Sequence, residues 1–107
     1  MSEAEARQQG IAVRIAKLPL AAILRARTTS ETRGFMKALV VADGDRILGF
    51  AMLGADAGEV MAVVQTAMLA GLPYSVLREA ILAHPTMAEG LNVLFSNVKP
   101  AQAKTAA

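Results

Sequence analysis

Two apolar runs joined by a short polar segment constrain the fold of this chain more than any other feature of its sequence. Gly34 to Val41 and Arg46 to Leu53 are both largely apolar, and Ala42-Asp43-Gly44-Asp45 separates them. An Asp-Gly step readily supplies the positive φ of a tight turn, so the pattern predicts an antiparallel β-hairpin. Because both runs are apolar at neighbouring positions, we expect two central strands that are covered on both faces.

A further strand is predicted before the hairpin. Ser2 and Glu5 have the spacing of a capping box, and Gly10 ends the short helix that they begin. The pattern then changes to an alternation, in which Ile11, Val13 and Ile15 occupy every second position between Ala12, Arg14 and Ala16. This is the period of a strand with one buried face, which Leu18-Pro19 closes. The segment Leu20 to Thr32 contains Arg25, Arg27 and the polar run Thr28-Thr29-Ser30-Glu31, which predicts an irregular crossing to the hairpin.

Three helices are predicted after the hairpin. The first begins at Asp56, the predicted N-cap, with Glu59 three residues later. Gly71 ends this helix, and Pro73 prevents it from resuming. A short helix is expected around Tyr74 to Leu82. A final helix is expected from Thr86 to about Asn97.

The composition predicts a surface that another protein covers. The chain has 107 residues, enough for one domain, and 54% of them are hydrophobic while 19% are charged. So small a domain does not bury all of that apolar surface, and contiguous exposed apolar area is normally covered by a partner.

Other classes of function are disfavoured by the same composition. Without cysteine, these residues form no disulfide, no thiolate metal site and no redox-active Cys pair. A net charge of +2 and the lack of Trp disfavour nucleic acid as a partner. The uncharged run Val60 to Leu77 is broken by Gly71 and Pro73, and the acidic start does not fit a signal peptide, so we expect no membrane partner and a cytoplasmic protein.

The single histidine lies in the segment Ala83-His84-Pro85-Thr86-Met87-Ala88-Glu89, for which two interpretations compete. Thr86 and Glu89 have capping-box spacing and Pro85 is common at a helix entry, so spacing alone favours a purely structural role. In the other interpretation, Glu89 accepts a hydrogen bond from His84 and fixes the tautomer of its ring. The other ring nitrogen is then free to exchange protons with a substrate thiol near neutral pH.

This segment resembles the His-Pro-Thr-x-x-Glu signature of the pyridine nucleotide-disulfide oxidoreductases, which include dihydrolipoamide dehydrogenase, glutathione reductase and mercuric reductase. The resemblance extends over about Ser2 to Val98. Further motifs occur in the order and approximate spacing of that family's C-terminal dimerisation domain, namely Gly34-Phe35-x-Lys37, Ile47-Leu48-Gly49 and Gly54-x-x-Ala57-Gly58-Glu59.

The resemblance implies an α+β fold in which helices flank an antiparallel sheet, with one domain over residues 1–98 and a disordered tail over 99–107. It also implies a homodimer in which His84 and Glu89 complete the disulfide active site of the other subunit, with the histidine as acid and base. FAD and NAD(P) would serve the intact enzyme, and the backbone at His84 and Pro85 would lie near the flavin. Lys37 and Glu59 match motif positions with structural roles.

The chain also departs from the family pattern. It has no nucleotide-binding loop and no Cys pair, so we expect no cofactor binding and no disulfide reduction by this chain alone. The family domain begins with a strand before the first helix, whereas this sequence starts at the helix, which predicts an exposed sheet edge. The alternative function is a free-standing interaction module of the same fold that pairs with itself or with a full-length reductase.

Overall fold

A three-stranded antiparallel sheet organises the chain, which the computed structural model describes over residues 1–30 and 32–100. The strands are β1 (Val13–Pro19), β2 (Phe35–Val41) and β3 (Ile47–Leu53), in that order across the sheet. The helices in the described ranges are α1 (Glu3–Gln8), α2 (Leu24–Thr28), α3 (Ala57–Leu69), α4 (Tyr74–Glu79) and α5 (Gly90–Ser96), with a 3₁₀ turn at Leu20–Ala22. The predicted α+β fold is confirmed. Residues 101–107 of the predicted tail lie outside the described residues.

The hairpin is present, but its turn differs from the prediction. Five residues, 42–46, connect the strands, and the Val41 amide donates to the Arg46 carbonyl across the loop at 3.0 Å. Neither Asp43 nor Gly44 has a positive φ, because a loop of this length reverses the chain without the mirror-image turn that a two-residue connection needs.

The prediction of two central strands holds for β2 and is wrong for β3. Strand β2 pairs with both β1 and β3, whereas β3 has one partner in the described sheet. Ala51 and Leu53 of β3 are exposed, and 64% of Leu53 is accessible. An apolar strand therefore forms one edge of the sheet.

The alternation in β1 is real, but its buried face is not the one that carries the branched residues. Arg14, Ala16 and Leu18 are buried on the face that meets the main core, whereas Ile15 is 40% exposed on the opposite face. Ala16 and Leu18 pack in the core beneath the helices. The charged Arg14 lies on the same face because backbone carbonyls surround its guanidinium.

Arg14 is 6% exposed and is surrounded by backbone carbonyls. Its Nε donates to the Val41 carbonyl at 3.2 Å, Nη1 donates to the Lys99 carbonyl at 2.6 Å, and Nη2 donates to the Gly44 carbonyl. The guanidinium also lies 5.5 Å from the centre of the Tyr74 ring. These contacts compensate the loss of water around the buried cation, and they tie residue 99 to the hairpin turn.

Helix α1 begins and ends as predicted and covers the outer face of the sheet. Ser2 Oγ accepts the Glu5 amide at 3.1 Å, and the left-handed Gly10 follows the helix. Glu3 forms an ion pair with Lys37 of β2, which places the helix across that face. Leu39, on the same face of β2, is 4% exposed.

Helices α3, α4 and α5 lie on the inner face and enclose the main core. Phe95, Leu91 and Leu94 of α5 are fully buried in a cluster with residues of all the strands. Helix α5 is therefore fixed on its inner side by packing. No helix in residues 1–30 and 32–100 is long and apolar enough to cross a bilayer.

Several helix boundaries differ from the prediction. The expected irregular crossing contains the 3₁₀ turn and α2, whose Thr29 hydroxyl donates back to the Arg25 carbonyl at 3.0 Å. Asp56 stands at the N-cap of α3, but its φ of 61° is left-handed and its side chain caps nothing, since capping requires an extended backbone. Helix α4 ends at Glu79 and α5 begins only at Gly90, so the predicted termini at Leu82 and Thr86 both fall in an irregular segment.

Candidate active site

The irregular segment between α4 and α5 carries the predicted site. Its His84-Pro85 peptide bond is cis. The Thr86 hydroxyl donates to the Ala83 carbonyl at 2.7 Å and accepts the Glu89 amide at 3.3 Å. Thr86 thus makes its half of a capping box, but the Glu89 carboxylate does not complete the other half. It turns toward His84 instead.

His84 and Glu89 form a close pair. The His84 Nδ1 atom lies 2.7 Å from Glu89 Oε1 and 2.8 Å from Oε2. Because both oxygens of a carboxylate accept hydrogen bonds, this arrangement places a proton on Nδ1. The other ring nitrogen, Nε2, makes no hydrogen bond with the part of the chain that the structure describes.

The pair combines an exposed ring with a more sheltered carboxylate. The side chain of His84 is 60% exposed, and that of Glu89 is 30% exposed. The neutral ring with its proton on Nδ1 has a free lone pair on Nε2, which can take a proton from a group outside the domain. The carboxylate then faces the resulting imidazolium and stabilises it. The geometry is that of an acid-base group oriented by an acidic partner.

A shallow apolar groove adjoins the pair. It has a volume of about 300 Å³, and His84 and Glu89 line it together with Ala22, Ile23, Leu24, Gly90, Asn92 and Val93. Leu24 and Val93 are 43% and 45% exposed. The imidazole therefore stands at the border of an apolar surface, and a group that approaches Nε2 also meets that surface.

The model of the "Pyridine nucleotide-disulphide oxidoreductase, dimerisation domain" family matches residues 1–94, which include both members of the pair. The chain belongs to this family. The family predicted from the sequence is thereby confirmed, and with it the assignment of the chain as a dimerisation domain.

Individual relatives agree with the family match. The dimerisation domain is 48% identical over 99 residues to the probable pyridine nucleotide-disulfide oxidoreductase RclA of Escherichia coli (strain K12), which covers 92% of this chain and 22% of that protein. It is 33% identical over 88 residues to a dihydrolipoyl dehydrogenase of Staphylococcus aureus, which covers 82% of this chain and 19% of the relative. The chain thus spans about a fifth of the length of these curated relatives.

Solved structures show the same fold. The HOCl-induced flavoprotein disulfide reductase RclA from Escherichia coli superposes with a TM-score of 0.88 at 47% identity, over 92% of this chain and 23% of that one. LpdA from Mycobacterium tuberculosis gives a TM-score of 0.81 at 17% identity over 90% of this chain and 21% of that one, which shows a shared fold alone.

Two other motif residues of the dimerisation domain lie outside the pair. Lys37 forms an ion pair and hydrogen bond with Glu3. This contact is the main reason that the pKa of the Glu3 carboxyl lies below its ordinary value. Glu59 lies in the first turn of α3, and its side chain makes no hydrogen bond or ion pair with the described residues. In the described part of the domain, no group of three or more acidic, His or Cys side chains could hold a metal ion.

One polar residue beside the site was missed from the sequence. Asn92 of α5 donates from Nδ2 to the carbonyls of Leu77, Arg78 and Ala80. These acceptors are 12 to 15 residues away along the chain, so no local motif pointed to them. Only the packing of α4 against α5 brings them together.

Proposed function

We propose that this dimerisation domain supplies His84 and Glu89 to the disulfide active site of the partner subunit in a homodimeric, flavin-dependent reductase. The observation that supports this proposal is the orientation of the ring. Both Glu89 oxygens lie on Nδ1, and Nε2 is left on the exposed side. A buried structural histidine would use both nitrogens within its own domain.

The chemistry is proton transfer during thiol-disulfide exchange. A thiol attacks a disulfide only as the thiolate, so Nε2 first accepts its proton. A new S–S bond then forms as the old one breaks, and the departing thiolate takes the proton back from Nε2. His84 ends the exchange in the form in which it began it. Glu89 stays ionised and stabilises the intermediate imidazolium.

The surroundings of the pair support a partner chain. These 107 residues contain no cysteine, so the sulfur that His84 serves belongs to another part of the enzyme or to its substrate. Leu24 and Val93 beside the ring are partly exposed, and Ile81, three residues before it, is fully exposed. Apolar side chains of this size around an acid-base group are a surface that a second subunit buries.

FAD and NAD(P) are part of the proposal for the intact enzyme. The backbone groups of His84 and Pro85 make no hydrogen bond within the described residues, and both side chains are exposed. Their carbonyls are therefore free to accept a bond from a donor on the flavin. When bound, the flavin supplies the electrons that reduce the disulfide. The role of this chain in the reaction is to transfer protons.

A chimeric enzyme tests the catalytic role. The domain replaces its counterpart in Escherichia coli RclA. The two sequences are 48% identical over 99 residues, and this alignment defines where the domains are exchanged. We expect NAD(P)H-dependent disulfide turnover that falls by roughly 10²- to 10⁴-fold in His84→Ala, the usual contribution of a general acid-base group. Glu89→Gln should lower kcat less, and Glu59→Gln is the matched control. Turnover that survives in His84→Ala would end the catalytic assignment.

A mixed dimer tests whether the pair acts across the interface. One subunit carries His84→Ala and intact redox cysteines, and the other carries His84 with its cysteines replaced by serine. If His84 serves the partner's disulfide, the mixed dimer has one complete site and regains turnover, although each parent homodimer is inactive. If His84 serves its own subunit, the mixed dimer stays as inactive as its parents.

A further inference from the structure

The side-chain amide of Asn92 lies among three backbone carbonyls. Its Nδ2 is 2.8 Å from the Leu77 oxygen, 3.3 Å from the Arg78 oxygen and 2.9 Å from the Ala80 oxygen. All three atoms are acceptors, so the NH₂ group must face them. The residue is half-buried on α5 and also lines the groove beside His84.

These bonds satisfy the end of helix α4. The last carbonyls of any helix lack intrahelical donors, and a glycine after the helix often provides replacements. Helix α4 has no such glycine, and the chain turns into an extended conformation at Ala80, with φ −61° and ψ 140°. Asn92 provides the missing donor from the neighbouring helix, and so fixes the residue at which the chain leaves α4.

The segment that starts at Ala80 is the one that presents His84. Its side chains give it little anchorage before the ring, since Ile81 and Ala83 are exposed and only Leu82 packs against the core. Its far end is held by Glu89, at the start of the same helix that carries Asn92. Helix α5 therefore holds both ends of the segment, through Asn92 at one end and Glu89 at the other.

We propose that Asn92 is a positioning residue for His84. It fixes the Ala80 carbonyl, and the short segment after Ala80 then delivers the imidazole to the Glu89 carboxylate with Nδ1 facing it. The catalytic meaning of this role rests on the proposed function, but the orientation of the ring can be measured without any activity.

The experiment uses the single histidine of the chain. Since His84 is the only imidazole, its ring nitrogens give one set of ¹⁵N signals, whose shifts report which nitrogen carries the proton. Asn92→Leu keeps the size of the side chain and removes the donor. We expect its ring signals to lose the Nδ1–H pattern of the wild type, whereas Asn92→Gln, which keeps an NH₂ group, regains part of it.

Asn97→Leu is the matched control. Asn97 caps the other end of α5, and its Nδ2 lies 3.5 Å from the Lys17 carbonyl, away from the His84 segment. We expect this variant to keep the wild-type ring signals even if its melting temperature falls. A merely structural Asn92 would behave in the same way, so wild-type ring signals in folded Asn92→Leu overturn the inference.

Glu89→Met separates the two proposals, because it removes the acceptor itself. If its ring signals match the wild type, the pair does not form in solution and the proposed function loses its support. If they change while those of Asn92→Leu do not, only the positioning role falls. Should Asn92→Leu not fold, Asn92→Ala gives the same readout without added apolar bulk. If neither folds while Asn97→Leu does, Asn92 is a fold residue and the inference is wrong.

Discussion

Replacing Gly34 by alanine tests how tightly the hairpin is built. Gly34 precedes β2 with a φ of +112°, where L side chains are strained. An added Cβ would overlap the Leu53 carbonyl oxygen and lie 2.7 Å from its carbon, whereas ordinary contacts begin at 3.4 Å. The obstacle is backbone of the paired strand, so a side-chain rotation cannot remove it.

The cost follows from what must move. The backbone strain of an alanine at this φ costs about 1–3 kcal/mol. Displacing Leu53 opens the end of the β2–β3 ladder at the Phe35–Leu53 pair and disturbs the bond from the Leu20 amide to the Gly34 carbonyl, at 3.1 Å. Each lost hydrogen bond costs about 0.5–1.5 kcal/mol net. We therefore expect Gly34→Ala to lower the free energy of unfolding by roughly 2–6 kcal/mol.

Gly71→Ala is the control, because Gly71 also has a positive φ, +69°, but nothing lies within 4 Å of its added Cβ. Its cost should be the left-handed conformation alone, about 1–2 kcal/mol. Urea unfolding followed by circular dichroism measures the free energy of unfolding of both variants. The comparison is valid if the slope of that free energy against urea concentration is the same as in the wild type. Equal losses in the two variants would refute the argument from the Leu53 carbonyl. Failure of Gly34→Ala alone to fold would be its extreme confirmation.

Other predictions concern the surface and the buried cation. Arg14→Met should destabilise the chain by about 2 kcal/mol or more in urea unfolding, because three carbonyls lose their donor, and exposed Arg46→Met should not. The lowered pKa of Glu3 means that its contribution to stability is present above the ordinary value of 4.5 and is lost as the pH falls through the folded-state value. The difference in melting temperature between wild type and Glu3→Gln should therefore shrink on acidification, and a constant difference would contradict the Lys37 pair. The chain should self-associate in sedimentation at micromolar concentration, and Val93→Glu should weaken that association. A strictly monomeric wild type would count against the interface.

The parts of this structure that could be predicted are those in which cause and effect are close in sequence. Ser2 caps the amide three residues away, and Glu89 reaches a ring five residues away, so local spacing contained both contacts. The hairpin was predictable for the same reason. Its turn was not, because a two-residue turn and a five-residue loop both fit the sequence around Asp43 and Gly44, and only the pairing of the strands decides between them.

The errors occur where distant backbone determines the result. Arg14 looked like a solvent-facing residue of β1, but carbonyls 27, 30 and 85 residues away converge on its guanidinium and allow its burial. As a result, the buried face of β1 is the one that carries Arg14, and Ile15 lies on the opposite, more exposed face. Asn92 escaped notice in the same way. A sequence pattern describes side chains, and it contains no record of where backbone acceptors will meet.

His84 and Glu89 lie close together in the sequence, and this affects how recombination between genes can transfer the pair. Acid and base are often contributed by remote parts of a chain, and a recombination event between them separates the two. Here the two residues are five positions apart. Because Asn92 and the end of α4 also hold this segment, a gene exchange whose breakpoints lie outside residues 77–92 transfers the pair together with the contacts that orient it.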